Sequence, residues 1–251
     1  MLALLGAMKE EIAELQSQIE IEETFVQQSC SAYKGEYKGK EVLLVQTGIG
    51  KRRAEKATEL ILERYQITGL LSFGFAGALS EELKGGDLII CSVLYNGSEQ
   101  GEGSTNSTSP CYSDPDLVSL ARRILEKGKV RFRQGSSVSV RRPVSEPAAK
   151  KALGEAFGAQ AVDMESYWIA KITLAKHIPF LTVRAISDEV EDSLLPFDQL
   201  MDSEGAWLRR KAFLYSLSHP QHLPKILKFS GNLKRARKNL LNFIQHFIVE
   251  L

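Results

Sequence analysis

Several stretches of this chain are apolar almost throughout: LALLG near the start, GLLSFGFAGAL from Gly69, DLIICSVLYN from Asp87 and IPFLTVRAIS from Ile178. A strand with one solvated face alternates apolar and polar residues, so such runs imply strands covered on both faces, as in a largely parallel sheet flanked by helices. The intervening segments carry helical spacing. MKEEIAELQSQI places Met8, Ile12, Leu15 and Ile19 on one face. GIGKRRAEKATELILERY reads as a glycine turn feeding a helix, and DPDLVSLARRILEKG as a helix capped by Asp114 with Pro115 at its first position. SEPAAKKALGEAF reads as a helix capped by Ser145, and ESYWIAKITLAKH as another. VRFRQGSSVSV alternates like a strand, and AQAVDM is a short one. SAYKGEY and EVLLVQT flank a Lys38-Gly39 turn as a hairpin, which makes the sheet mixed. The expectation is an α/β protein of one domain spanning 1–251, without internal repeat or dividing linker.

The 251 residues suffice for a substantial core, and a net charge of +1 gives a nucleic-acid partner no electrostatic support. Cys30, Cys91 and Cys111 are scattered and form no CxxC pair, which points to a reducing cytoplasm rather than a disulfide framework. MLALLGAMKEE reaches its acids too soon for a signal sequence, and no apolar run approaches the ~20 residues that span a bilayer. The stretch GSEQGEGSTNSTSPCYSD is a low-complexity loop. Residues 205–251 form a helical extension with nine Lys or Arg against Glu250 alone. Its last helix puts Leu233, Leu240, Ile244, Phe247 and Leu251 on one face. That pattern fits a helix packed on the domain with a solvated basic face, or one lying at the inner surface of an anionic membrane.

The acids mark the chemistry. Glu10 and Glu11 sit in the first turn after the first strand, Glu165 starts the helix after AVDM, and Asp188 ends the strand in RAISDE. Each could complement a helix dipole or cap a turn. Together they suggest a site, because α/β sheets bind ligands beyond the carboxyl ends of parallel strands, and all these junctions are expected on one edge. TGIGK, with Gly48 and Gly50, lacks the phosphate-loop spacing, and GFAGAL, with Gly77, is no dinucleotide fingerprint. Each is either a tight turn or a set of N–H groups facing an oxygen-rich ligand. His177, His219, His222 and His246 make no metal-ligand set.

GAMKEE, TGIGK, SFGFAGAL, LKGGDLII, AVDMES and RAISDE occur in an order that resembles the nucleoside phosphorylase and nucleosidase superfamily, over Leu2 to about Asp192. Methylthioadenosine/S-adenosylhomocysteine nucleosidases are the nearest resemblance. The resemblance implies a single domain around a mixed, partly closed sheet, cleavage of a purine N-glycosidic bond, no metal or organic cofactor, and a homodimer. It implies that Glu165 accepts the ribose hydroxyls, that Met164 packs on the sugar, and that Asp163 is structural and pairs with Arg184. Glu11 matches the base that activates water, and Asp188 the acid that protonates purine N7, with Ser187 orienting it. Three positions differ from the pattern. Phe75 stands where a serine or threonine meets sugar or phosphate, and Ser72 where phosphorylases grip phosphate with an arginine. Arg142 and Pro143 stand where an aromatic residue stacks on adenine, and an arginine there changes polarity and size. Ser72 favours water over phosphate as nucleophile, although Arg52, Arg53, Arg141 and Arg142 could supply phosphate ligands. SVSVRRPVSEPAAKKAL and the basic tail also resemble the hopanoid-associated phosphorylase-like branch. That branch implies a lipid-linked adenosyl substrate and peripheral membrane contact through the terminal helix. A non-catalytic nucleoside-binding protein is the remaining alternative.

Overall fold

The computed structural model describes residues 1–27, 30–97, 109–193 and 222–251. Its centre is a ten-stranded mixed sheet. The strands are β1 (Leu2–Gly6), β2 (Glu20–Gln27), β3 (Cys30–Tyr37), β4 (Lys40–Gln46), β5 (Gly69–Ala78), β6 (Leu88–Asn96), β7 (Cys111–Tyr112), β8 (Phe132–Ser139), β9 (Ala161–Asp163) and β10 (Phe180–Asp188). The helices are α1 (Lys9–Gln16), α2 (Lys51–Arg64), α3 (Pro115–Lys127), α4 (Pro147–Phe157), α5 (Ser166–Ala175) and α6 (Leu223–Glu250). β1 runs parallel to β4 and β5, and β5 parallel to β10. From β10 the sheet continues through antiparallel β6 and on to β8 and β9, and β9 returns antiparallel to β5. Five strands, β5, β10, β6, β8 and β9, therefore close on themselves, and β1, β4, β3 and β2 extend from β5 as an open wing. Closure leaves no free edge around the ring.

The uniformly apolar runs became buried strands: every residue of β1 and of β10 is buried. α1, α3 and α6 cover one side of the sheet, and α2 and α5 the other. Lys38 and Gly39 both have positive φ, the geometry of a two-residue hairpin turn whose twist matches its strands. Asp114 caps α3 by accepting from the Asp116 and Leu117 N–H groups, and Pro115 follows it. Three details differ from expectation. The edge strand β2 was not anticipated, because EIEETFVQ exposes Ile21 and Val26 and has no apolar run to betray it. The two-residue β7 falls in the low-complexity loop, of which 98–108 lie outside the described residues. The N-cap position of α4 is Glu146, which makes no side-chain capping bond, with Pro147 in the first turn, so Ser145 lies one residue outside. All three cysteines are free and buried.

The terminal helix is part of the core. α6 buries Ala236, Leu240, Phe243, Ile244, Phe247 and Ile248, whereas Leu233 is only partly buried and Leu251 is exposed. The buried stripe is thus rotated from the expected one and is spent on the domain, while Lys225, Lys228, Lys234, Arg235 and Lys238 face water. No helix among the described residues is long and apolar enough to cross a membrane. Residues 205–221 of the extension, with His219, lie outside the described residues. α6 docks on the Gly85-Gly86 turn. Arg235 Nε donates to Gly85 O (3.3 Å) and Asn239 Nδ2 to Gly86 O (2.9 Å). A Cβ on Gly85 would lie 2.1 Å from Asn232 Cγ. Gly85→Ala should therefore destabilise the protein by about 1–3 kcal/mol, the usual cost of overpacking. Thermal melting of Gly85→Ala, and of Gly85→Ala with Asn232→Ala, should show partial recovery in the double variant.

Candidate active site

Four sequence-predicted residues form one cluster: Glu11 and Arg184 meet at Gly74 in the middle of β5, Asp163 pairs with Arg184, and Glu165 is near enough to feel all three charges. Arg184 is opposite Gly74 in the β5–β10 pairing. A Cβ on Gly74 would lie 2.6 Å from Glu11 Oε1 and 3.2 Å from Arg184 Nη1, so glycine there makes room for both. Asp163 ends β9. Its Oδ1 accepts from Ser139 Oγ (2.7 Å) and from the Glu165 and Ser166 N–H groups (3.0 Å each). Its Oδ2 accepts from Ser166 Oγ and from Arg184 Nε. Burial pushes the Asp163 carboxyl up, but Arg184 and these donors outweigh it and hold the group below its ordinary value. Arg184 Nη2 donates to Ser72 Oγ (3.0 Å), and Nη1 finds no acceptor among the described residues. Asp163 and Arg184 are both almost completely buried, and the ion pair expected between them is present.

Glu11 does cap its helix, as first-turn acids do: Oε2 accepts from Ala7 N (2.7 Å) and Met8 N (2.9 Å). Its other oxygen reaches across to β5 and accepts from Phe75 N (2.9 Å). Phe75 thus contributes its backbone to the site, while its side chain is partly buried in the core. Burial raises the Glu11 pKa, and the three N–H groups and Arg184 only partly offset this. Glu165 is at the N-cap of α5 without capping it. Its Oε1 instead accepts from Gly50 N (2.6 Å). Gly50 has φ 90°, in the region that favours glycine, so TGIGK works by aiming an N–H at a carboxylate. Burial first, then Asp163, pushes the Glu165 pKa to about 8. Met164 is half-buried beside Gly50.

Asp188 forms a separate unit near Gly77, where a Cβ would lie 2.9 Å from Asp188 Oδ2. Ser187 Oγ donates to Asp188 Oδ1 (2.7 Å), and Lys150 Nζ, from α4, donates to Oδ2. Burial raises the Asp188 pKa against the pull of Lys150. One expectation needs correction. The acid-bearing junctions do not all sit on one edge by parallel topology, because β9 runs antiparallel to β5. Glu165 reaches the others because β9 is only three residues long and stays at the carboxyl end of β5, where Ala161 and Val162 pair with Ala78 and Gly77. Arg142 is exposed in the turn after β8, and Arg52 and Arg141 are exposed as well. Sequence reasoning missed Lys150, Ser139 and Ser166. Lys150 carried a signal: it shares the inward stripe of α4 with Leu153, Gly154 and Phe157. Among the described residues no group of three or more His, Cys, Asp or Glu could hold a metal ion.

Residues 1–210 match the Phosphorylase superfamily. The chain belongs to that superfamily. It is 30% identical over 211 residues to a 5'-methylthioadenosine/S-adenosylhomocysteine nucleosidase of Bacillus thuringiensis (strain Al Hakam), covering 80% of this chain and 91% of the relative. The Bacillus anthracis nucleosidase matches equally well. Two solved structures share the fold. The Neisseria meningitidis nucleosidase in complex with methylthio-immucillin-A has a TM-score of 0.78 at 24% identity, covering 100% of this chain and 99% of that one. Futalosine hydrolase of Helicobacter pylori has a TM-score of 0.79 at 20% identity, covering 100% and 97%.

The Glu165 environment predicts a pH signature in this superfamily member. A carboxyl raised from 4.5 to about 8 on folding contributes stability below its unfolded pKa, and that contribution is lost as pH rises through about 8. The melting temperature of the wild type should fall between pH 6 and 9, and Glu165→Gln should flatten that fall. Parallel slopes for the two proteins would place Glu165 in a less buried setting.

Proposed function

We propose that this protein is a nucleosidase that hydrolyses the N-glycosidic bond of an adenosyl or methylthioadenosyl nucleoside. The observation that carries the reading is two separately built carboxylate units along the β5–β10 seam: Glu11 at Gly74 with Glu165 coupled to it through charge, and Asp188 at Gly77. Hydrolysis of this bond needs such a division. Positive charge builds at C1′ while the leaving base gains electrons, so one group must take a proton from water and another must give one to the base. Glu11 is the base, held by three backbone donors that fix its orientation without supplying a competing charge. Glu165 accepts the ribose 2′ and 3′ hydroxyls, with Met164 against the sugar. Gly50 N–H fixes its near oxygen and leaves the other for the ligand. Asp188 protonates N7, oriented by Ser187.

Water is favoured over phosphate because Ser72 is completely buried and bound to Arg184, so that position offers no cation to an anion in the site. The sequence relatives are named as nucleosidases, which agrees. The assembly implied by the family resemblance is a homodimer. The lipid-linked alternative came from the resemblance of SVSVRRPVSEPAAKKAL and the basic tail to the hopanoid-associated branch. The membrane contact it implied finds no free apolar stripe on the terminal helix, whose Ala236, Leu240, Phe243, Ile244, Phe247 and Ile248 are packed in the core.

Base release should be followed by chromatography from methylthioadenosine, S-adenosylhomocysteine, adenosine and inosine, each with and without phosphate. Adenine should appear from the first two without phosphate; release that requires phosphate and yields a sugar 1-phosphate would replace this reading with phosphorolysis. Asp188→Asn should lower kcat by about 10²–10⁴-fold, the range for one general acid step, with KM changed only a few-fold. A near-normal kcat in that variant would remove Asp188 from the acid role.

A further inference from the structure

We infer that the proton Asp188 delivers is stored on Lys150, so that the two side chains form a one-proton unit with Lys150 as its positioning residue and reservoir. The inference rests on the reading of Asp188 as the acid. Lys150 is fully buried, and each N–H of its ammonium has an acceptor: Asp188 Oδ2, Glu189 O (2.9 Å) and Asp192 O (2.9 Å). The two carbonyls hold two of the protons in place. The third lies on the line to the carboxylate. Moving it from Nζ to Oδ2 breaks one N–H bond and forms one O–H bond. The amine then keeps both carbonyl contacts and turns its lone pair toward the new hydroxyl. Both tautomers are therefore fully hydrogen-bonded, an uncommon provision for a buried lysine.

The charge balance fixes the number of protons. A buried ammonium beside a buried carboxylate is neutral as a unit, and a second proton would leave an unpaired positive charge where burial is costly. The surrounding charges pair among themselves. Lys228 of α6 donates to Asp192 Oδ1 (2.7 Å) and approaches Glu189 Oε2 (3.7 Å). Lys84 lies 3.6 Å from Glu189, and exposed Lys151 pairs with Glu191. The Arg184 guanidinium on the same strand is paired with Asp163. In the resting enzyme Asp188, accepting from both Ser187 and Lys150, is thus a carboxylate without a proton of its own. When the C1′–N9 bond breaks, its electron pair goes to the purine. Lys150 passes its third proton to Asp188 Oδ2 and Asp188 passes that same proton to N7, leaving a carboxylate beside a neutral amine held between its carbonyls. After the base leaves, water entering the pocket reprotonates the unit through Asp188.

The test compares kcat and KM across pH for wild type, Lys150→Met, Lys150→Arg and Asp188→Asn, with melting curves at each pH. Lys150→Met leaves Asp188 to hold its own proton. The pH above which kcat falls should move down by about one unit or more, with KM within a few-fold. Lys150→Arg keeps the charge but does not release its proton, and kcat should fall at least about tenfold at every pH. A limb that stays put or moves up in Lys150→Met, or a wild-type rate in folded Lys150→Arg, overturns the inference and leaves Lys150 as a tie for the 188–192 loop. A wild-type rate in Asp188→Asn would instead overturn the acid assignment. Should neither lysine variant fold, the infrared difference between wild type and Asp188→Asn at neutral pH decides: an ionised Asp188 carboxylate is expected, and a protonated carboxyl band assigned to Asp188 overturns the inference.

Discussion

The buried pair of Arg184 and Asp163 organises the site. A guanidinium and a carboxylate taken out of water lose hydration worth several kcal/mol each, and their attraction alone seldom recovers it. Here every remaining valence of Asp163 is used. Two main-chain N–H groups at the start of α5, two serine hydroxyls and the guanidinium all converge on its carboxylate. The pair ties β9 and α5 to β10 at the middle of the closed ring, and through Ser72 to β5. Removing either partner would leave the other charged and unsolvated, a loss of about 3–5 kcal/mol. The same contacts place Glu165, two residues beyond Asp163, opposite Gly50.

One arginine serves three acids, and the imbalance has chemical consequences. Asp163 takes the guanidinium and stays ionised, while Glu11 and Glu165 are left with more burial than compensation and titrate high. A carboxyl whose pKa burial has raised can change its protonation during a reaction at smaller cost than one in a saturated ion pair. The difference in titration between Asp163 and the other two acids follows the hydrogen-bond inventory: five donors on Asp163, three on Glu11 and one on Glu165 among the described residues.

The fold was legible because its determinants are local. Apolar runs and amphipathic spacing name the strands and helices, and Asp114-Pro115 fixes a helix start to the residue. The edge strand β2 was not legible, since a strand with most side chains in water has no pattern against which to be detected. At the site, the acids could be picked out one by one, but their meeting could not be derived from parallel topology, because β9 runs the other way and succeeds only by being short. The order of motifs carried that information through resemblance. Lys150 was passed over for a general reason: a lysine in an alanine-rich helix is normally solvated. Its spacing with Leu153 and Phe157 was the available sign.

Glycine explains why two carboxylate units can sit on one pair of strands without merging. Gly74 and Gly77 are three residues apart on β5, and a side chain at either would occupy the place of a carboxylate oxygen. Each unit is thus set directly against the backbone of β5, and both are anchored from outside the strand by different elements: Glu11 by the start of α1, Glu165 by the Gly50 turn, Asp188 by α4. Separate anchoring lets the Asp188 unit titrate with Lys150 and Ser187, while Glu11 and Glu165 answer to Arg184 and Asp163. A helix-borne lysine can accompany Asp188 without drawing Glu165 into the same ion pair. A site built from one cluster would share its charges and titrate as a whole. Two clusters on a glycine-lined seam can hold a proton at one end while accepting one at the other.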